Sequence, residues 1–220
     1  MSTPCQYHRS FGLLRHFILL FATVALLSAC GSKEKMDVLP SGSRVLALGD
    51  SLTEGNGVAP EQAWPALLAE KTGWDVSNGG VSGDTSEAAL RRLPGLLERH
   101  DPVLVLITLG GNDMLRRIPQ QQTVANLEKI IALVREHGAQ PLLLATPQPS
   151  VAGAVFQNLS DPDFYREIAD TQQVALIENA MSDVLSDPQL KVDQLHPNAA
   201  GHALFTEKLL EELKRLGLVL

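Results

Sequence analysis

Arg44-Val45-Leu46-Ala47-Leu48-Gly49-Asp50-Ser51-Leu52-Thr53-Glu54-Gly55 is the stretch on which the fold turns. Val45 to Leu48 is a short apolar run, β-branched at its start, the pattern of a strand buried on both faces. It breaks at once into Gly-Asp-Ser. Gly49 permits a sharp change of direction, and Ser51 is left at the mouth of the helix that follows. A serine so placed has its hydroxyl beyond the carboxyl edge of the sheet, where open α/β sheets bind their ligands. Taken alone, the pair reads more simply as a helix cap, since Asp and Ser are among the commonest cap residues. The remainder of the chain has to decide.

Outward from that stretch, strand and helix patterns alternate. Pro60 to Thr72 carries Trp64, Leu67 and Leu68 at helical spacing and stops at Gly73. Trp74 to Ser77 reads as a short strand, followed by the glycine-rich loop Asn78-Gly79-Gly80-Val81-Ser82-Gly83-Asp84-Thr85. Ser86 to His100 is amphipathic, with Pro94 as its irregularity. Val103 to Leu109 is the most apolar run of the body, ending in Gly110-Gly111-Asn112-Asp113. A helix through Val124, Leu127, Ile130, Ile131 and Val134 stops at Gly138, and Leu142 to Ala145 is a fourth strand. A long loop over 146–160, with Pro147, Pro149 and Gly153, is of a length usually reserved for function. A helix from Phe164 to Gln172 and a strand from Val174 to Ile177 follow. The chain then meanders to Leu195-His196-Pro197, where Pro197 suits the first position of a helix over 198–216. The alternation predicts an α/β fold, a flavodoxin-like three-layer α/β/α sandwich on a five-stranded parallel sheet of order 2-1-3-4-5. In that order the turns after strands one, two and three open on one edge, and Ser51, Gly83 and Asn112 converge there.

The first residues read as an address. Arg9 and Arg15 precede the apolar run Phe17 to Leu27, too short to span a bilayer comfortably, which closes with Leu27-Ser28-Ala29-Cys30-Gly31. That ending resembles the lipobox of bacterial lipoproteins. The resemblance implies removal of residues 1–29, lipidation of Cys30 and a membrane anchor, with 30–43 as a flexible tether and 44–220 as the folded domain. Gly31 after the cysteine implies the periplasmic face of an outer membrane. The net charge of −7 is ordinary for the length, and loss of the leader, which carries two arginines and no acid, makes it −9. An acidic domain without a basic stripe argues against nucleic acid as a partner. Of the two cysteines, Cys5 and Cys30, neither lies in the domain, so no disulfide frame or cysteine metal site is available, and no histidine–carboxylate spacing suggests a metal.

A serine nucleophile needs a base, an orienter for the base and donors for the developing oxyanion. His100 and His137 sit in last turns of helices, where they suit the helix dipole. His202 lies inside the final helix as a surface or packing residue. His196 is in a loop, three residues after Asp193, and can serve as base with Asp193 as its orienter. Gly49-Asp50-Ser51-Leu52, Gly80-Val81-Ser82-Gly83-Asp84-Thr85-Ser86, Gly110-Gly111-Asn112-Asp113 and Asp193-x-x-His196-Pro197 together resemble the four blocks of the SGNH, or GDSL, hydrolases, in their order. The likeness runs from about residue 44 to the C-terminus and is greatest to the bacterial arylesterase and thioesterase/lysophospholipase branch.

That resemblance implies a serine esterase acting on aryl, acyl or thio esters through Ser51, His196 and Asp193. It implies an oxyanion site made of the Ser51 N–H, the Gly83 N–H and the Asn112 amide. No cofactor and no metal are expected, small-molecule or lipid esters are the expected substrates, and the oligomeric state is left open, with a monomer favoured. Met114-Leu115-Arg116-Arg117 and the 146–160 loop depart from the family's usual pattern and border the expected acyl site. Two other readings stand beside it: an O-deacetylase of envelope carbohydrate with the same site, and a non-catalytic lipoprotein binding module. A broken block would mark the second, and none is broken. A nucleotide-binding protein is disfavoured, because the loop after the second strand has neither Gly-x-Gly-x-x-Gly nor a Walker lysine.

Overall fold

The computed structural model describes residues 36–150, 153 and 157–220; the leader, Cys30 and residues 31–35 lie outside the described residues. Five strands, β1 (Arg44–Gly49), β2 (Asp75–Gly80), β3 (Leu104–Thr108), β4 (Gln140–Leu144) and β5 (Ala175–Ile177), form one sheet in the order β2-β1-β3-β4-β5. All four pairings are parallel, with Val45 opposite both Val76 and Leu104, and Leu142 opposite Ala175. Parallel pairing demands crossovers, and the helices supply them: α1 (Ser51–Glu54), α2 (Trp64–Thr72), α3 (Ser86–His100), α4 (Gly111–Leu115), α5 (Gln120–Glu136), α6 (Phe164–Gln172), α7 (Ala180–Ser186) and α8 (Ala199–Leu216).

The strands' period of two divides the core. Leu46, Leu48, Val105, Ile107 and Leu143 face α3, α5 and α6, where they meet Leu93, Leu127, Ile131 and Tyr165. The intervening Val45, Ala47, Leu104, Leu106 and Leu142 are also buried, and helices on the second face bury Trp64, Leu68, Phe205 and Leu209. Trp64 and Phe205 meet edge to face, their rings 5.5 Å apart, fastening α2 to α8. Burial on both faces is why these strands read as continuous apolar runs.

Several boundaries differ from the sequence reading. Pro60–Gln62 is a separate 3₁₀ turn, because Ala63 is extended before α2 begins at Trp64. β2 continues through Asn78-Gly79-Gly80, expected as loop; these residues pair in register with Ala47, Leu48 and Gly49. Pairing with a neighbouring strand overrides the low strand propensity of glycine. The expected meander after β5 contains α7 and a 3₁₀ turn at Pro188–Leu190. Seven residues carry too few turns for a periodic signal. Pro197 precedes the cap of α8 rather than opening the helix: Asn198 is the cap, its side chain accepting from the Gly201 N–H at 3.0 Å. Pro94 sits within α3 on an exposed face, where water can meet the carbonyl it leaves unpaired.

The chain enters the domain at the sheet's amino edge. Leu39 donates to the Leu218 carbonyl at 3.0 Å and accepts from the Trp74 indole at 3.2 Å, and Gly42 donates to the Gly73 carbonyl at 2.7 Å. Backbone pairing with the domain thus begins at Leu39, within the stretch 30–43 that the sequence assigns to the tether.

Candidate active site

The carboxyl edge of the sheet gathers the residues singled out above. Asp50 follows β1 and caps α1, its Oδ1 accepting from the Leu52 N–H at 3.0 Å, so Ser51 is the first residue of a helix facing the edge. Ser51 Oγ lies 3.0 Å from His196 Nε2. His196 Nδ1 lies 2.8 Å from Asp193 Oδ2 and 3.0 Å from Oδ1. Asp193 Oδ1 also accepts from the N–H groups of Leu195 and His196, at 2.7 and 2.9 Å. Burial alone would raise this carboxyl; the imidazole and those two N–H groups together hold it below the usual carboxylate value. The charged form is therefore the one stabilised beside the ring.

The turns after β2 and β3 close the other side. Gly83 has φ +80°, a left-handed conformation that disfavours a side chain, and its carbonyl accepts from Arg116 Nη2 at 2.7 Å. Glu54 on α1 accepts from the Ser82 N–H at 2.8 Å and also from the Ser82 hydroxyl, tying the glycine loop to the helix that carries Ser51. Asn112 stands on α4, and its Nδ2 donates to Asp50 Oδ2 at 2.9 Å, leaving a second amide hydrogen for another acceptor. The backbone N–H groups of Ser51 and Gly83 have no protein acceptor among the described residues.

Beneath these turns lies a buried polar knot. Asp113 accepts from the Ser86 N–H at 2.8 Å, the Ser86 hydroxyl at 2.5 Å and the Thr123 hydroxyl at 3.2 Å, while Asn126 donates to Ser86 Oγ at 3.0 Å. It joins the starts of α3 and α5 to α4, and so sets where Asn112 stands. Ser51, Gly83, Asn112 and His196 all line one cavity of about 670 Å³. Its wall is completed by Leu115, Pro147, Pro149, Leu159, Leu185 and Leu195, with Lys191 the cation among the lining residues.

Sequence reasoning missed three contributors. Asp50 reads there as a cap; it is 2% exposed and holds the Asn112 amide as well, and a carboxylate directly after the apolar run that ends β1 was the available signal. Burial pushes the Asp50 carboxyl up to about 6, against the pull of the Leu52 N–H and the Asn112 amide. Arg116 was visible as unusual, but its bond to the Gly83 carbonyl was not. Leu185 belongs to α7, which left no periodic signal. His100 and His137 lie away from the cavity, His100 against the Ser77 hydroxyl at 2.9 Å and His137 against Asp101 at 3.3 Å. Among the described residues no cluster of His, Cys, Asp and Glu could hold a metal ion.

A hydroxyl, imidazole and carboxylate in line, beside N–H donors on a cavity floor, can activate an oxygen nucleophile and hold a developing oxyanion. Known proteins with this chain's pattern are consistent with that chemistry. An arylesterase of Vibrio mimicus is 36% identical over 179 residues, covering 79% of this chain and 89% of the relative. Thioesterase 1/protease 1/lysophospholipase L1 of Escherichia coli is 37% identical over 177 residues, covering 78% and 84%. Among solved structures, that of TesA superposes with a TM-score of 0.70 at 32% identity, covering 78% of this chain and 98% of the other. The psychrotrophic esterase EstA of Pseudoalteromonas, inhibited there by monoethylphosphonate, gives 0.67 at 29% identity, covering 78% and 96%. Residues 47–204 match the GDSL-like lipase/acylhydrolase family as a whole, and with the strand order, the four sequence blocks and the gathered site in agreement, the chain belongs to that family.

Proposed function

We propose that this protein is a serine esterase that works through an acyl-enzyme on Ser51. Ser51 Oγ attacks the carbonyl carbon of a carboxylic ester or thioester while His196 Nε2 takes the hydroxyl proton. Asp193 fixes the ring so that Nε2 faces Ser51 and offsets the charge the imidazole gains. The carbonyl oxygen becomes an oxyanion facing the Ser51 and Gly83 N–H groups and the free hydrogen of the Asn112 amide. Collapse of the tetrahedral species breaks the ester bond, and the imidazolium returns its proton to the leaving oxygen or sulfur. A water molecule then repeats the attack on the acyl group, releasing the acid and restoring Ser51. The observation that carries this reading is the 3.0 Å approach of Ser51 Oγ to a His196 whose far nitrogen is held by Asp193.

The largely apolar wall formed by Pro147, Pro149, Leu159 and Leu185 supports acyl chains longer than acetyl as substrates. Aryl esters, acyl thioesters and lysophospholipids, the substrates the relatives' names point to, all present such a carbonyl. The lipobox-like Leu27-Ser28-Ala29-Cys30 supports a lipidated Cys30 and placement in a bacterial envelope, on the periplasmic face of an outer membrane. The test is hydrolysis of p-nitrophenyl esters from acetate to palmitate by the chain lacking residues 1–29, beside Ser51→Ala. Activity lost in the variant, with an optimum beyond acetate, is the expected result. Activity on acetate alone would move the reading to a carbohydrate O-deacetylase, and a folded protein inert on every ester would leave a binding module. Lipidation is read separately, from the mass of the N-terminal peptide of protein taken from membranes.

A further inference from the structure

Arg91 and Arg92 are neighbours on α3 with different employments. Arg91 pairs with Glu87 one turn back at 3.3 Å, both side chains more than half exposed, a kind of ion pair that contributes little. Arg92 reaches off its helix instead. Its Nε donates to Asp84 Oδ2 at 2.6 Å and its Nη2 to the Gly49 carbonyl at 2.9 Å. The Arg92 and Asp84 side chains are 24% and 13% exposed, so solvent screens this pair less. Gly49 closes β1 two residues before Ser51, and Asp84 directly follows Gly83. One planar guanidinium therefore spans the two turns whose backbone N–H groups face the oxyanion. The Gly49 carbonyl also accepts from the Val81 N–H at 3.2 Å, and the Asp84 N–H closes the glycine loop onto the Val81 carbonyl at 3.0 Å. Both ends of that loop thus run back to Arg92. Glu54 and Arg116 hold its middle, at Ser82 and Gly83.

We propose that Arg92 is a positioning residue for the hydrolysis: it fixes the separation of the Ser51 and Gly83 N–H groups, and with it the fit of the site to the oxyanion. The inference rests on the esterase reading given above. Arg92 is not among the residues lining the cavity, so it acts through the two turns it joins. Donors stabilise a developing oxyanion only if they stand in place before the charge appears. A misplacement of about 1 Å can cost about 10²-fold in rate. Donors aimed at that charge do little for the bound ester, so their displacement lowers kcat and spares KM.

The test compares Arg92→Gln, which loses the charge and the fork, with Arg91→Gln as its control. Both are made in the chain lacking residues 1–29, which keeps the folded unit Asp37–Leu220 whole. On the p-nitrophenyl ester that the wild type hydrolyses best, Arg92→Gln is expected to lower kcat by roughly 10–100-fold with KM within about threefold. Arg91→Gln is expected to stay within about twofold in kcat, as befits an exposed pair. Amide hydrogen exchange followed by NMR supplies a readout that needs no turnover. In Arg92→Gln, exchange at Val81 and Asp84 is expected to speed at least about tenfold more than at Leu106 and Ile107 in the central strand, the mark of a local opening. An arginine that merely stabilised the fold would speed the central strand as much, since its amides report global unfolding. Arg92→Lys keeps the charge without the fork, decides the matter should the glutamine variant not fold, and is expected to lose at least about fivefold in kcat. A folded Arg92→Gln with kcat within about threefold of wild type, a loss carried by KM, or exchange at Val81 and Asp84 that merely follows the central strand overturns the proposal. A wild type inert on every ester would sink the esterase reading instead, and the exchange comparison would then decide by itself whether Arg92 holds the two turns.

Discussion

At Asp50 one carboxylate meets two demands, and its substitution separates them. Oδ1 caps α1 through the Leu52 N–H, and Oδ2 holds the Asn112 amide. An asparagine has a single acceptor oxygen, so in Asp50→Asn it can keep the cap only by turning its own NH₂ toward the NH₂ of Asn112. The variant is expected to lose at least tenfold in kcat with little change in KM and no fall in Tm at pH 7, since it also removes a buried charge. Steady-state kinetics beside a melting curve check this. Asn112→Ala is expected to lower kcat by roughly 10²–10³, the usual cost of one oxyanion donor. Full activity in either variant would remove that residue from the site. That Ser51, His196, Asp193, Gly83 and Asn112 belong together was legible in the sequence, because each stands in one of four short blocks that resemble a known family. The second role of Asp50 was not, since it depends on a partner sixty-two positions away.

The elements meet at close quarters where α1 crosses the end of β2. A Cβ on Gly80 would overlap the Glu54 backbone nitrogen and lie 2.7 Å from its Cα, so α1 lies against β2 only because position 80 has no side chain. Gly80→Ala must push back the helix that begins at Ser51. A loss of about 1–3 kcal/mol is expected, together with reduced kcat, and a variant of wild-type Tm would show that the contact relaxes freely. Asp113→Ala strips three donors of their acceptor where α3, α4 and α5 meet. A cost of at least about 3 kcal/mol of stability is expected, measured by urea unfolding, since each buried donor left unpaired costs about 1–3 kcal/mol. Long elements such as α3, α5 and α8 declared themselves by periodicity in the sequence. The extension of β2 through Asn78-Gly79-Gly80 and the short α7 did not, because pairing and docking, rather than local preference, hold them in place.

For the whole molecule, two buried ionisable groups oppose each other in acid. His202 is fully buried, its Nδ1 accepting from the Trp64 N–H at 3.3 Å, and burial, then electrostatic coupling to His196, pushes its pKa down to about 4. Its folded-state value lies below the unfolded one, so stability is lost as pH falls from about 6.5 toward 4. Asp50 has the reverse sign: raised to about 6, it gains stability as pH falls through 6 toward 3.8. Each shift is on the order of 3 kcal/mol, so between pH 6 and 4 the two nearly cancel. Asp50→Asn removes the compensating gain, and its Tm is expected to fall relative to wild type by roughly 6–12 °C between pH 7 and pH 4. Parallel Tm curves for the two proteins would show that Asp50 titrates as it does in the unfolded chain. The sequence by itself determined the fold class and the strand order, and through four blocks that resemble a known family it singled out residues that meet at the carboxyl edge, because buried parallel strands must be apolar and tight turns at their ends favour glycine, asparagine and serine. Only the tertiary structure decided which groups hold those residues in place, and that the chain enters at the pole opposite the cavity, because contacts between distant segments leave no local periodicity to read.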